Sequence, residues 1–320
     1  MFILTEAGNI SGYGHLTRCI AINQNLKKRA KIFVHPDNKS NIKNINIYPW
    51  RNNIQKVIKL NNLKKFKVAL IDSYLVNKKI LKTLRDNFKY LIILDDYDRI
   101  TYDCDLIINP SILGSKFKLN QKIKKAYGSK YIIIRDEIKK LFKRKPRNNL
   151  KNLSIIFGKS NHSKNLLYKI ISSLNKLELD RINILSGDKQ LSSELKKNIK
   201  LSNLKIYGWL NANRLSSIFN NSDLVISSGG QTLNELAYLG VPFIAIETGF
   251  DQYWNIKGFV KKKITPIHFK ATDKNLIKKL VKTVTTLKDQ SKRSIMSSNG
   301  TKLIDGKGAI RIAKLLEKYS

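Results

Sequence analysis

A chain of 320 residues, 42% of them hydrophobic, is long enough to bury the cores of two domains, and no apolar run approaches the roughly 20 residues needed to cross a bilayer. Its formal net charge of +38 favours acidic partners such as nucleotide phosphates, nucleic acid or an anionic membrane surface. The lysines are spread over nearly every predicted helix and loop, so no specific nucleic-acid stripe is expected, and peripheral attachment to a membrane stays open. Cys19 and Cys104 are too few and too unpatterned for a disulfide framework or a metal site.

The N-terminus runs straight into the short strand Phe2-Ile3-Leu4, without the pattern of a secretory leader, and a cytoplasmic protein is expected. After this strand comes Gly8-Asn9-Ile10-Ser11-Gly12-Tyr13-Gly14-His15-Leu16-Thr17-Arg18, followed by the helical pattern Cys19 to Asn23. The loop falls at the carboxyl end of a parallel strand, where open sheets bind ligands. Gly12 and Gly14 let a substrate approach the backbone, and His15, opening the helix, is a candidate general base. The alternative is a histidine serving as a cap or core residue.

Further apolar runs at Lys31 to Val34, Val68 to Ile71, Tyr90 to Leu94, Leu106 to Ile108 and Tyr131 to Ile134 alternate with helical patterns, which predicts a parallel sheet covered by helices. Asp72-Ser73-Tyr74 and Asp95-Asp96-Tyr97 each follow one of these strands and reach the same sheet edge, where carboxylates can orient His15, bind sugar hydroxyls or simply cap helices. Asn109-Pro110 offers an amide to that edge or only a turn. The acids lack the spacing of a metal cage, and no metal ligand or cofactor is predicted.

The polar, basic stretch Phe142 to Asn149 contains Pro146 and reads as the linker between a domain of residues 1–145 and one of residues 146–320. A second series of strands follows at Leu153 to Phe157, Ile182 to Leu185, Leu204 to Tyr207, Leu224 to Ile226 and Phe243 to Ile246. Two doubly wound, Rossmann-like α/β domains facing a cleft is the economical architecture. Gly158 and Lys159, after the first of these strands, can cradle a phosphate, although the full phosphate-loop spacing is missing. Ser228-Gly229-Gly230-Gln231-Thr232 joins a strand to a helix N-terminus, whose N–H groups suit a phosphate, with Glu235 one turn in, within reach of a ribose; the alternative is a glycine turn that only lets the strand meet the helix closely. Asp251-Gln252 follows the next strand and can close on a sugar or form only a plain turn. Ala309 to Tyr319 has helical spacing and is expected as a terminal helix, able to pack back on the first domain.

In order along the chain, Gly12-Tyr13-Gly14-His15 with Arg18, Ile71-Asp72-Ser73-Tyr74, Asp95-Asp96, Asn109, Gly128-Ser129-Lys130-Tyr131 with Arg135 and Glu137, Ser228 to Thr232 with Glu235, Gly240-Val241-Pro242, Asp251-Gln252 and Asp305-Gly306-Lys307-Gly308 resemble the UDP-sugar hydrolases of pseudaminic acid biosynthesis and the related spore-coat polysaccharide proteins. The resemblance covers nearly the whole chain. It implies a glycosyltransferase-B fold and release of UDP, without a metal, from a UDP-linked diacetamido-trideoxyhexose. His15 would activate water, and Gly12, Tyr13, Gly14, Arg18, Asp72, Tyr74, Asp95, Asn109, Asp251 and Gln252 would meet the sugar. Gly158, Lys159, Ser228, Gly229, Gly230, Gln231, Thr232 and Glu235 would hold UDP. Lys159 and Asn161 stand where the family has a second glycine and an aspartate, and Asp251 where an amide is commoner. The glycine turn also resembles that of the lipid-II-forming N-acetylglucosaminyltransferase, so a UDP-sugar-dependent glycosyltransferase is the alternative, and a non-catalytic polyanion-binding protein a third reading. The sequence specifies no oligomeric state.

Overall fold

A computed structural model describes residues 1–8, 12–36, 46–117, 119, 122–141, 143, 145–157 and 163–320. The chain divides into two compact units, Met1–Arg135 with Gly306–Ser320, and Asp136–Asp305.

The first unit runs β1 (Phe2–Ala7), α1 (Gly14–Gln24), β2 (Lys31–Pro36), β3 (Asn46–Ile47), α2 (Ile54–Leu60), β4 (Val68–Asp72), α3 (Lys78–Arg85), β5 (Tyr90–Leu94), β6 (Leu106–Asn109) and β7 (Lys125–Tyr127). Among the described residues its seven strands are all parallel, in the order β3-β2-β1-β4-β5-β6-β7. Side chains alternate across the sheet, so Phe2 and Leu4 pack on one face with Ile54, Val57, Ile80 and Leu84, while Ile3 packs on the other with Cys19 and Ile22 of α1. The chain builds outward from β1 to β3, then returns to β4 on the opposite side of β1. The carboxyl ends of β1 and β4 therefore form the switch point at which doubly wound sheets bind ligands.

The second unit contains α4 (Asp136–Lys139), β8 (Asn152–Ile156), α5 (Ser163–Leu174), β9 (Arg181–Leu185), α6 (Lys189–Asn198), β10 (Leu204–Tyr207), α7 (Ala212–Asn221), β11 (Leu224–Ser228), α8 (Thr232–Leu239), β12 (Phe243–Glu247), α9 (Tyr253–Lys261), β13 (Phe269–Lys270), α10 (Leu276–Thr286) and α11 (Gln290–Leu303). Among the described residues its six parallel strands run β10-β9-β8-β11-β12-β13, with the switch point between β8 and β11. The abundant asparagines have a local use. Asn53, Asn77 and Asn211 sit before α2, α3 and α7, and each accepts the N–H three residues on, one of the helix donors that would otherwise lack a partner.

The terminal helix α12 (Gly308–Glu317) belongs to the first unit, where Ala309, Ile312, Ala313 and Leu316 join Ile3, Ile22 and Ile133 in one cluster. Its start lies so close to the backbone that a Cβ on Gly308 would fall 2.0 Å from the Ile132 carbonyl oxygen. Tyr131 to Ile134, read as a strand from its apolar run, is instead the end of a short 3-10 turn and an irregular segment, while the seventh strand is Lys125–Tyr127. Burial against α12, not sheet pairing, explains why that run is apolar. The units change at Arg135, ahead of the polar stretch that reads as a linker, because α4 packs against α7.

Candidate active site

In the first unit, α1 presents His15, Arg18, Cys19 and Ile22 along one buried stripe, the i, i+3, i+4, i+7 spacing of a core-facing helix surface. Ile22 and Cys19 meet the core, and the same stripe carries His15 and Arg18 to the end of β4. The turn into the helix is closed by Gly8, whose N–H donates to the Gly12 carbonyl at 3.0 Å, and Gly12 has a φ of +71°, which favours glycine. Tyr13 stands exposed at the N-cap, before Gly14.

Asp72 is fully buried at the junction of four donors. His15 Nδ1 lies 2.7 Å from Oδ1, Arg18 Nη2 2.5 Å from the same oxygen, and Arg18 Nε and Cys19 Sγ 2.6 Å and 3.3 Å from Oδ2. Burial alone would push the Asp72 carboxyl up, but the Arg18 guanidinium and His15 outweigh it and hold it well below the usual carboxylate range. Burial likewise disfavours a charged Arg18, yet Asp72 and Asp96 keep the guanidinium firmly protonated. An ionised Asp72 can only accept, so Nδ1 carries the proton in its bond with Asp72, and neutral His15 has its lone pair on Nε2. That is the tautomer a general base needs.

Arg18 Nη1 donates to both oxygens of Asp96, at 2.9 Å and 2.7 Å, and the Tyr74 hydroxyl donates to Asp96 Oδ2 at 3.1 Å. The Tyr74 ring meets His15 edge-on with centroids 4.4 Å apart. Glu6, from β1, is 1% exposed, with Oε1 3.7 Å from His15 Nε2. It accepts hydrogen bonds from the Ser73 hydroxyl and from the N–H groups of Tyr74 at 3.1 Å and Leu75 at 3.3 Å.

The structure thus brings His15, Arg18, Asp72 and Tyr74 together, with Glu6 and Asp96 added. Asp95 is turned away: its carboxylate takes the Tyr102 hydroxyl at 2.7 Å and the N–H groups of Arg99 at 2.8 Å and Tyr97 at 3.2 Å. Asn109 is buried and accepts the Ser111 N–H at 2.9 Å, holding the turn after β6. Glu6 escaped the sequence reading, its signal being a single carboxylate inside an otherwise nearly apolar strand.

In the second unit, Gly229 and Gly230 join β11 to α8 at the switch point. A Cβ on Gly229 would lie 2.6 Å from Gln252 Cβ and 2.8 Å from Ile256 Cδ1, so only glycine fits, whereas the corresponding position on Gly230 faces nothing within 4 Å. Gln252 Oε1 accepts the N–H groups of Gly229 at 2.9 Å and Thr248 at 3.0 Å, tying the turns after β11 and β12 together. Asn255, absent from the sequence reading, donates to the Gly229 carbonyl at 2.7 Å. Ser228 is buried, Gln231 and Thr232 are half-buried, and Glu235 is 2% exposed in the first turn of α8. Asp251 is half-buried, and Glu247, Thr248, Gly249, Phe250 and Lys270 line a cavity of ≈ 640 Å³ nearby in the chain. Gly158 and Lys159 lie outside the described residues. Among the described residues no three His, Cys, Asp or Glu side chains are placed so that they could hold a metal ion, and no helix is long and apolar enough to cross a membrane.

Residues 153–314, half of the chain, match the glycosyltransferase family 28 C-terminal domain. The chain belongs to this family. An uncharacterised protein of Methanocaldococcus jannaschii is 30% identical over 273 residues, 76% of this chain and 54% of that protein, so the chain spans about half the length of this curated relative. Among solved structures, MurG of Acinetobacter baumannii is 15% identical with a TM-score of 0.69, covering 99% of this chain and 100% of that one. MnaA of S. aureus, solved with UDP, is 11% identical with a TM-score of 0.69, covering 99% and 96%. These likenesses show the fold: two Rossmann-like α/β domains of the glycosyltransferase-B type.

Proposed function

We propose that the protein is a UDP-sugar-dependent glycosyltransferase in which His15 is the general base. The carrying observation is the 2.7 Å bond from His15 Nδ1 to ionised Asp72 at the carboxyl edge of β1 and β4, which leaves Nε2 as the proton acceptor. In the step, Nε2 takes the proton of an acceptor hydroxyl as its oxygen bonds to the anomeric carbon. The bond from that carbon to the diphosphate breaks, its electron pair leaving on the β-phosphate oxygen of UDP. We assign the nucleotide to the second unit, through the turn Ser228 to Thr232, with Glu235 at the ribose and Gly158 and Lys159 at the phosphates. Family membership and the UDP bound to MnaA support this assignment. Helix N-terminal N–H groups favour the charge that develops on the leaving diphosphate. Two unpaired thiols, Cys19 and Cys104, suit a reducing, cytoplasmic setting.

Hydrolysis is the second reading, carried by the ordered motifs around His15 that resemble UDP-sugar hydrolases; water then takes the place of the acceptor hydroxyl, and a UDP-diacetamido-trideoxyhexose is its substrate. UDP release is measured over a panel of UDP-sugars, that compound included, with and without added glycoside acceptors. Release that requires an acceptor and is lost in His15→Ala is the expected result. Equal release in buffer alone replaces transfer with hydrolysis, and no UDP binding by calorimetry rejects both.

A further inference from the structure

Glu6 takes no part in the step above, yet a carboxylate near the end of an apolar strand is costly to bury unless it is paired and hydrogen-bonded. We infer that Glu6 is a positioning residue that stabilises the cationic form of His15, so that the proton taken from the nucleophile stays on Nε2 while the sugar–diphosphate bond breaks. The inference rests on the reading of His15 as the base.

Both Glu6 oxygens act as acceptors, for the Ser73 hydroxyl and the N–H groups of Tyr74 and Leu75, and these fix the carboxylate in place. Its Oε1 lies 3.7 Å from Nε2, beyond hydrogen-bond range for an unprotonated nitrogen but within ion-pair range once the nitrogen is protonated. Among the described residues, the charged and titratable groups around the imidazole and its partners come from five places in the fold. Glu6 comes from β1, Asp72 from β4, Arg18 and Cys19 from α1, Tyr74 from the turn after β4, and Asp96, through Arg18, from the turn after β5. Three carboxylates therefore stand against one guanidinium. Arg18 is matched by Asp72 and Asp96, which leaves Glu6, on the Nε2 side, without a cationic partner among the described residues. The acceptor proton thus arrives between His15 and a carboxylate already held in place by three donors.

The test uses the 320-residue, ligand-free protein. The C2–H resonance of His15 is identified by its loss in His15→Asn and followed by NMR against pH. In Glu6→Gln the titration is expected to move about one pH unit lower, the usual scale for removing an opposite charge at this distance, while Glu6→Asp retains most of the wild-type behaviour. The acid limb of kcat/KM moves in the same direction. Glu6→Leu, apolar like most of its strand, replaces the Gln variant if that one fails to fold. An unchanged titration in a folded Gln or Leu variant overturns the inference. Because the titration needs no turnover, its outcome is separate from the transferase assay: transfer can fail while the Glu6 effect is seen, and the reverse.

Discussion

Asp72→Asn isolates the charge on which the first unit's site is built. The substitution keeps the shape but replaces one acceptor oxygen with a donor, facing His15 Nδ1 and the Arg18 guanidinium inside the unit. Breaking a buried ion pair costs about 3–5 kcal/mol, and the lower end applies because Arg18 keeps both bonds to Asp96. For a unit of this size, about 3 kcal/mol corresponds to a melting temperature roughly 6–12 °C lower. Trp50, buried in the first unit, reports the transition by fluorescence. The pH dependence supplies the sharper check. The folded carboxyl titrates below its unfolded value, so its stabilisation is complete above the unfolded pKa and is lost as pH falls toward the folded one. Taking an unfolded pKa of about 3.9, the deficit of the Asn variant should shrink by about 1.3 kcal/mol between pH 7 and pH 3. Activity should fall by about 10²–10⁴-fold, since His15 loses the partner that sets its tautomer. A variant that melts within about 1 °C of wild type at pH 7, or whose deficit is the same at pH 3, refutes the reasoning.

The glycines give paired tests. Gly229→Ala drives a Cβ into Gln252 and Ile256 and should cost about 1–3 kcal/mol together with UDP affinity by calorimetry, whereas Gly230→Ala, facing open space, should melt near wild type. Gly308→Ala puts a Cβ against the Ile132 carbonyl, where neither backbone can yield, and limited proteolysis should then release α12. Burial pushes the Cys104 thiol up to about 12 and the Cys19 thiol well above its ordinary value. Both should therefore react slowly with a disulfide reagent at pH 8 in the native protein and rapidly in urea; fast native labelling would contradict that burial.

Much of the fold was legible because parallel strands buried on both faces leave continuous apolar runs, as in Val68 to Ile71 and Tyr90 to Leu94. The same signal misled at Tyr131 to Ile134, since an irregular segment packed under α12 needs apolar side chains as much as a strand does. The two-residue strands β3 and β13 and the polar-edged β7 have too little pattern to be seen. The acidic pairs show a finer limit. Asp95 and Asp96 follow β5 in succession, and adjacent residues of an extended chain point to opposite sides. Only the packed structure sends Asp96 to Arg18 and Asp95 to Tyr102.

The site itself follows from strand order more than from any motif. His15 and Asp72 are 57 residues apart, and they meet because β1 and β4 are neighbours in the sheet, with Thr5 in register with Asp72. Asp96 arrives by the same rule, since β5 lies beside β4. Arg18 has to span three strand ends, from the helix after β1 past β4 to the turn after β5, and its forked guanidinium can bind two carboxylates at once where a lysine could not. Glu6 was hidden because it needs no such crossing: it stands on β1 itself, and its role is visible only once Ser73 and Tyr74, delivered by β4, are seen to hold it beside His15. His15 and the groups that hold it therefore come from β1, from the helix after it and from the ends of β4 and β5, gathered at the carboxyl edge of the sheet beside the switch point, where an open parallel sheet leaves room for a ligand.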